Sequence, residues 1–206
     1  MCWNENISLN TFAFSIFALC FIIYNNTYTP YKIPVQGIFV YLFFLSFIVM
    51  QLNEFFLWRN LNNHYNHIFS IVGVFILFLQ PFFSLLMIEN ELLKYSMSAF
   101  YLLFGLPIVT YSLSTKSPIT RVQNGHLAWD WFTHYPIVVY VWLFLLFFSL
   151  FYNGWYMAAL FGIVLYLYHV YKYKNGTFPS VWCWSINSIF IIALIYILIY
   201  LPLVEN

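Results

Sequence analysis

The stretch that decides the fold is QGIFVYLFFLSFIVMQLNEFFL, residues 36–57. Apolar side chains follow one another without the strict alternation of a barrel strand, and Glu54 is its one charged residue. A helix of this length spans about 33 Å, enough to cross a hydrocarbon core of about 30 Å. Because lipid cannot bond to the backbone, a segment that spans it alone must be helical. We therefore predict a transmembrane helix here.

Six similar apolar runs follow or precede this one, separated by short segments rich in Asn, Gly and Pro. The longest separating segment, residues 115–134, is too short for a soluble domain. The sequence therefore predicts one domain, residues 1–206, an all-α integral membrane bundle of seven transmembrane helices with its termini on opposite sides. The predicted helices are residues 9–24, 36–57, 68–88, 96–114, 136–153, 155–171 and 182–203.

Composition supports this class. Of 206 residues, 64% are hydrophobic and only 6% are charged, against about 45–50% and about a quarter in soluble domains. So few charged residues cannot form the polar surface that a water-soluble protein needs. The net charge of +1 also argues against a nucleic-acid binder, which would carry a surplus of basic residues. We expect a multi-pass protein whose main partner is the lipid bilayer, with no nucleic acid partner.

Basic residues are unequally shared between the two sides of the predicted bundle. The side of the N-terminus carries five and the other side carries Lys32 and Lys94, which predicts a cytoplasmic N-terminus. The five are Arg59, Lys116, Arg121, Lys172 and Lys174.

Glu54 is the strongest functional candidate, because an ionisable group within an apolar span should face the bundle interior or a wet cavity. Gln51, Glu54 and Trp58 fall on one helical face. The alternative is a carboxylate that pairs with Arg59 or reaches the headgroups. Cys2, at the same end, would offer a thiol and an amine if Met1 is removed, so Glu54 and Cys2 are the catalytic candidates.

A metal site is a second hypothesis for this end. If residues 125–135 form an interfacial helix, His126, Asp130 and His134 share one face, and Cys183 starts the last predicted helix nearby. Such ligands suit zinc or another divalent metal. The alternative is a polar face that simply contacts water.

Further ligand-binding candidates lie at the start of the last predicted helix. They are Trp182, Trp184 and Asn187. Together with Gln51 and Trp58 from the second predicted helix they are the ligand-binding candidates, and the tryptophans could cage a quaternary ammonium headgroup. A lipid or another small molecule would be the ligand. Alternatively, the small polar residues only hydrogen-bond neighbouring helices.

Other seven-helix functions are disfavoured. A retinal protein needs a lysine within a helix, but all five lysines lie in or beside predicted loops, so we expect no retinal. A potassium-channel filter motif and a row of arginines in a helix are also absent from the sequence.

Three motifs resemble an uncharacterised family of small seven-helix membrane proteins. They are Met1-Cys2-Trp3 with Ser8, Gln51-x-x-Glu54-x-x-x-Trp58, and Trp182-Cys183-Trp184. Phe55 and Trp184 depart from the family pattern, which has Gly and more often Phe. The resemblance implies seven helices and draws attention to Cys2, Glu54 and Cys183, but the family has no assigned activity.

We therefore expect a polar ligand- or metal-binding site at the cytoplasmic end, and we leave open whether it is catalytic. One alternative is a channel or transporter lined by Gln80, Ser84, Thr110 and Asn187, although the predicted spans hold few ionisable groups near their middle. The other is a receptor or scaffold that acts through lateral helix contacts.

Overall fold

A computed structural model describes residues 4–33, 36–115, 118–133, 136–173 and 176–204, without the side chains of Ser112, Thr115, Cys183 and Trp184. Four long helices come first: α1 (Glu5–Tyr28), α2 (Ile38–Arg59), α3 (Tyr65–Leu86) and α4 (Glu91–Thr115). Strands β1 (Arg121–Gln123) and β2 (His126–Ala128) precede the short α5 (Asp130–Thr133). Then follow α6 (Pro136–Tyr152), α7 (Tyr156–Lys172), α8 (Phe178–Ile195), a π-helical turn (Tyr196–Tyr200) and α9 (Leu201–Val204).

Each predicted apolar run coincides with a helix. Among the described residues, five helical stretches are long and apolar enough to cross a membrane: α1, α2, α3, α4 up to Tyr111, and Phe178–Val204. The exposed apolar side chains of these helices indicate contact with lipid. Helices α6 and α7 have 17 residues each, about 26 Å, so the count of seven spans stays a prediction.

Local chemistry sets the helix ends. Asn4 caps α1 because its Oδ1 accepts a hydrogen bond from the Ile7 backbone N–H, at 2.9 Å. Helix α8 starts at Phe178, earlier than the predicted 182, with Pro179 in its first turn. A proline fits there because the first backbone N–H groups of a helix have no partner within it.

Helix α2 lies at the centre, in contact with α1, α3 and α8. Helix α3 also packs on α4 and α6, and α7 packs on α6 and α8. One large apolar cluster joins Phe47 of α2, Trp142 of α6 and Trp182 of α8, with ring centroids 5.7 to 6.2 Å apart. The aromatic content of the chain is thus used partly to fill the core.

The connection from α4 to α6 differs most from the expectation. Residues 121–128 form an antiparallel hairpin, in which Gln123 pairs with His126. Its turn is Asn124-Gly125, with φ of 52° and 75°. Positive φ at both residues is typical of a type I′ turn, which favours Asn-Gly. Of the interfacial helix predicted over residues 125–135, only Asp130–Thr133 is helical in the described part, and His126 lies on a strand instead.

Candidate functional site

The hairpin and α5 form a cap over one end of the bundle, the end at which α2 finishes and α3 and α8 begin. The cap, residues 118–133, buries Leu127, Ala128 and Trp129 almost completely. Its backbone also joins the connection before α8, where the Trp129 N–H donates to the Gly176 carbonyl at 3.0 Å. We call this the capped end.

Thr120 fastens the cap to α3. The Asn66 side chain donates to the Thr120 carbonyl and accepts from the Thr120 N–H, both at 2.9 Å. The Thr120 hydroxyl lies 2.8 Å from Ser70 Oγ and accepts from the Trp131 indole at 3.2 Å. Because all these groups are buried or half-buried, the hydrogen bonds hold the cap in one position.

Trp131 completes this attachment through close packing at Gly73. A Cβ at Gly73 would lie 3.1 Å from Asn53 Nδ2 and 3.2 Å from the Trp131 ring, so the glycine lets α2 and the cap both pack closely on α3 here. The Asn53 amide donates to the Phe69 carbonyl at 3.1 Å. Asn53 therefore belongs to the packing between α2 and α3.

Gln51 and Glu54 lie on a different face of α2, and both side chains are fully buried. Phe47 precedes Glu54 by two helical turns on that face and packs on Trp182 of α8. Glu54 therefore shares the face of α2 that meets α8 rather than the face that meets α3. Burial supports the prediction that this carboxyl faces the interior, whereas Arg59 pairs with Glu5 at 3.7 Å.

Three polar donors lie at the capped end with no hydrogen-bond partner among the described residues. They are the indole N–H groups of Trp58 and Trp129 and the hydroxyl of Ser180, all shielded from solvent. A buried donor without a partner costs about 1–3 kcal/mol. The capped end thus has hydrogen-bonding capacity that the described part of the fold leaves unused.

Two of the predicted metal ligands, His126 and Asp130, do not share a helix. His126 lies on β2 and packs edge-on against Tyr173, with centroids 5.1 Å apart, whereas Asp130 begins α5 beside Gly176. His134 lies outside the described residues and the side chain of Cys183 is not described. Over the described ranges, we find no group of three His, Cys, Asp or Glu that could hold a metal ion.

His126 is half-buried in the cap, outside the membrane-spanning helices. Removal of the ring from water lowers the pKa of His126 below its ordinary value of 6.5. The neutral imidazole is therefore the form that the folded cap favours. Protonation of this ring will work against the cap.

Two other predicted ligand-binding residues serve the packing of helices. The Trp182 indole donates to the Gly162 carbonyl at 3.3 Å within the aromatic core, and the Ser15 hydroxyl donates to the Asn187 side chain. Both observations match the alternative that these groups join neighbouring helices. Cys2 lies outside the described residues and the Trp184 side chain is not described, so their roles stay predictions.

Most residues proposed to line a channel use their polar side chains in hydrogen bonds within the protein. Ser84 bonds to Ser149 and to the Leu146 carbonyl, and Thr110 donates to carbonyls of its own helix. Gln80 differs, because its buried amide has no partner among the described residues. These contacts favour helix packing over a continuous polar path.

Sequence reasoning did not single out Asn66, Thr120 and Ser180, although they lie at this end of the bundle. The Asn124-Gly125 pair was the available signal for the hairpin. No protein-family model, curated protein or solved structure matches the chain. The family resemblance therefore stays a prediction.

Proposed function

We propose that the chain is a seven-span membrane protein that binds a small amine or quaternary ammonium group at its capped end, with its N-terminus in the cytoplasm. Helices α6 and α7 would cross as the two shorter spans, which a bilayer accommodates by local thinning. Arg59, Arg121 and Lys172 at the capped end support a cytoplasmic location for it.

The observation that carries this function is the complete burial of Gln51 and Glu54 on one face of α2 at the capped end. A carboxylate in a medium of low dielectric attracts a cation far more strongly than it does in water. Ionisable groups within membrane-spanning segments commonly take part in the binding of ligands or ions, so a cationic ligand suits this face of α2.

The surrounding aromatic residues suit the same ligand. Trp58 lies one turn beyond Glu54 on its face of α2, and the buried Trp129 covers the same end from the cap. An indole face attracts an alkylammonium group by about 2 kcal/mol when water is excluded. The carboxylate would supply the charge, and the indoles would surround the alkyl groups.

Binding of choline to the purified protein in nanodiscs tests this function. Calorimetry with Glu54→Gln should show an affinity at least about tenfold weaker, because a charged contact contributes about 1.5–3 kcal/mol. Glu5→Gln is the matched control, since Glu5 is partly exposed on α1 and pairs with Arg59. We expect that control to bind choline as the unmodified chain does.

Equal choline affinity in Glu54→Gln and the unmodified protein would contradict the proposal, as would no detectable binding at millimolar choline. A proteoliposome assay addresses the channel alternative. Cation flux that Glu54→Gln abolishes, without saturable binding, would favour a channel.

A further inference from the structure

A cleft of about 190 Å³ lies between α4 and α6, and α3 forms its floor. Phe104 and Ile108 line it from α4, Val141 and Leu145 from α6, and Leu77 from α3. It is separate from the face of α2 that carries Glu54, so nothing about it depends on the amine ligand.

The cleft forms because α4 packs closely on α3 and has few contacts with α6. The Tyr101 hydroxyl donates to the Phe78 carbonyl at 2.7 Å. A Cβ at Gly105 would lie only 2.7 Å from the Phe78 ring, so this glycine allows the two helices to touch. Helix α4 packs mainly on α3, which leaves its α6 side open.

The lining of the cleft offers nothing to a polar ligand. The Trp142 indole donates to the Leu77 carbonyl at 2.7 Å, and the Tyr101 hydroxyl is used by Phe78. The other side chains of the cleft are almost all hydrocarbon or aromatic. Water would therefore be excluded, and the occupant must be apolar.

The cleft opens sideways, on the part of the protein surface where the helices expose apolar side chains. Phe104 is 54% exposed and Ile137 is 69% exposed at its rim. From Ile137 to Leu145 the α6 wall runs about 12 Å, so the cleft is elongated along the helix axis. An occupant can enter from the hydrocarbon without crossing the headgroups.

We propose that this cleft binds one acyl chain of a membrane phospholipid. A helix of a second copy is about 10–12 Å wide and needs small residues for close approach. Gly105 is the one small residue among the described residues that line the cleft, and Phe78 already covers it, so the lining offers a second helix no point of close approach. A flexible hydrocarbon chain can follow an elongated apolar cleft and gains its binding from close packing, because lipid tails are as apolar as the cleft.

Photolabelling tests the site in nanodiscs that contain phosphatidylcholine with a diazirine midway along one acyl chain. Mapping by mass spectrometry should show labels concentrated on α4 and α6 at the cleft. Val141→Trp fills the cleft and should reduce that labelling at least about fivefold, because a close-packed site has no room for both groups.

Val164→Trp is the matched control, since Val164 is 62% exposed on α7 and is not among the residues that line the cleft. We expect its labelling to equal that of the unmodified protein. Equal labelling of α7 and the cleft helices, or unchanged labelling in Val141→Trp, would overturn the proposal. Native mass spectrometry supplies a second measurement. We expect the unmodified chain to retain one phospholipid and Val141→Trp to lose it. A stable dimer that Val141→Trp disrupts would instead identify a second copy as the occupant and overturn the proposal.

Discussion

Buried polar groups behave differently in the middle of the bundle and at its capped end. In the middle, Ser15 bonds to Asn187 and Ser84 bonds to Ser149, so each pair joins two helices. At the capped end, Asn66 and Thr120 are also bonded, but the hydroxyl of Ser180 has no partner among the described residues, and neither has the indole N–H of Trp58 or Trp129. The comparison teaches that burial alone does not identify a binding site; unused hydrogen-bonding capacity at the same end of the bundle as a buried carboxyl is more informative.

Gln80 is an exception that limits this contrast. It is fully buried near the middle of α3, yet neither polar atom of its amide has a partner among the described residues. Its neighbour one turn on, Ser84, is bonded across to α6. The middle is therefore mostly, rather than entirely, a region of paired groups.

The largest expected effect comes from loosening the cap with Asn66→Leu. This change leaves the N–H and carbonyl of Thr120 buried without their partners, which should cost about 2–4 kcal/mol of cap stability. Hydrogen exchange of residues 121–128 should accelerate sharply, while exchange at the middle of α8 stays slow.

Asn63→Leu is the matched control for that measurement. Asn63 is exposed, and its side-chain amide donates to Asn60 and accepts from the Tyr65 backbone N–H within the connection between α2 and α3, away from Thr120. Exchange in the hairpin should be unchanged. If Asn66→Leu also leaves it unchanged, then Thr120 does not fasten the cap and the capped end loses its defining feature.

A smaller effect separates the two regions directly. Ser84→Ala removes hydrogen bonds to α6 and should lower the free energy of unfolding by about 0.6–1.7 kcal/mol, as for other bonds between membrane helices. Ser180→Ala removes a hydroxyl without a described partner and should change it by less than about 0.5 kcal/mol. Unfolding in mixed micelles measures both. Equal losses in the two variants would remove the distinction between middle and capped end.

The smallest effect is a pH dependence of the cap. Because burial lowers the pKa of His126, the unfolded cap binds more protons than the folded one below the ordinary pKa of 6.5. The cap should therefore be fully stable above pH 6.5 and lose stability as the pH falls from 6.5 toward the lowered pKa. Hydrogen exchange of the hairpin across this range measures it. His126→Gln should flatten the dependence, and a dependence that persists in this variant would assign it to another group.

Helix positions were predictable because long apolar runs in lipid have only one way to satisfy their backbone. All seven predicted runs coincide with helices, and the ends differ by a few residues where Asn4 and Pro179 set the first turn. The number of membrane spans was harder to predict. Two of the helices have 17 residues and are shorter than the usual thickness of the hydrocarbon core.

The candidate site was predictable only in part. The rule that ionisable groups avoid lipid pointed to Glu54, and its burial agrees. The prediction that His126 and Asp130 share one helix was wrong. A spacing of four residues suits a helix but does not require one. Here the Asn-Gly turn and the pairing of β1 with β2 decided the local structure.

The sequence by itself determined the class of the protein, the positions of its helices and the identity of the one carboxyl within a span. These follow from local physics: the cost of backbone groups and charges in hydrocarbon depends on the residues alone. Only the tertiary structure decided that Asn66 holds a cap, that Trp182 belongs to the core and that a cleft opens beside α4. These depend on contacts between residues far apart in sequence, such as Asn66 with Thr120, which no local pattern specifies.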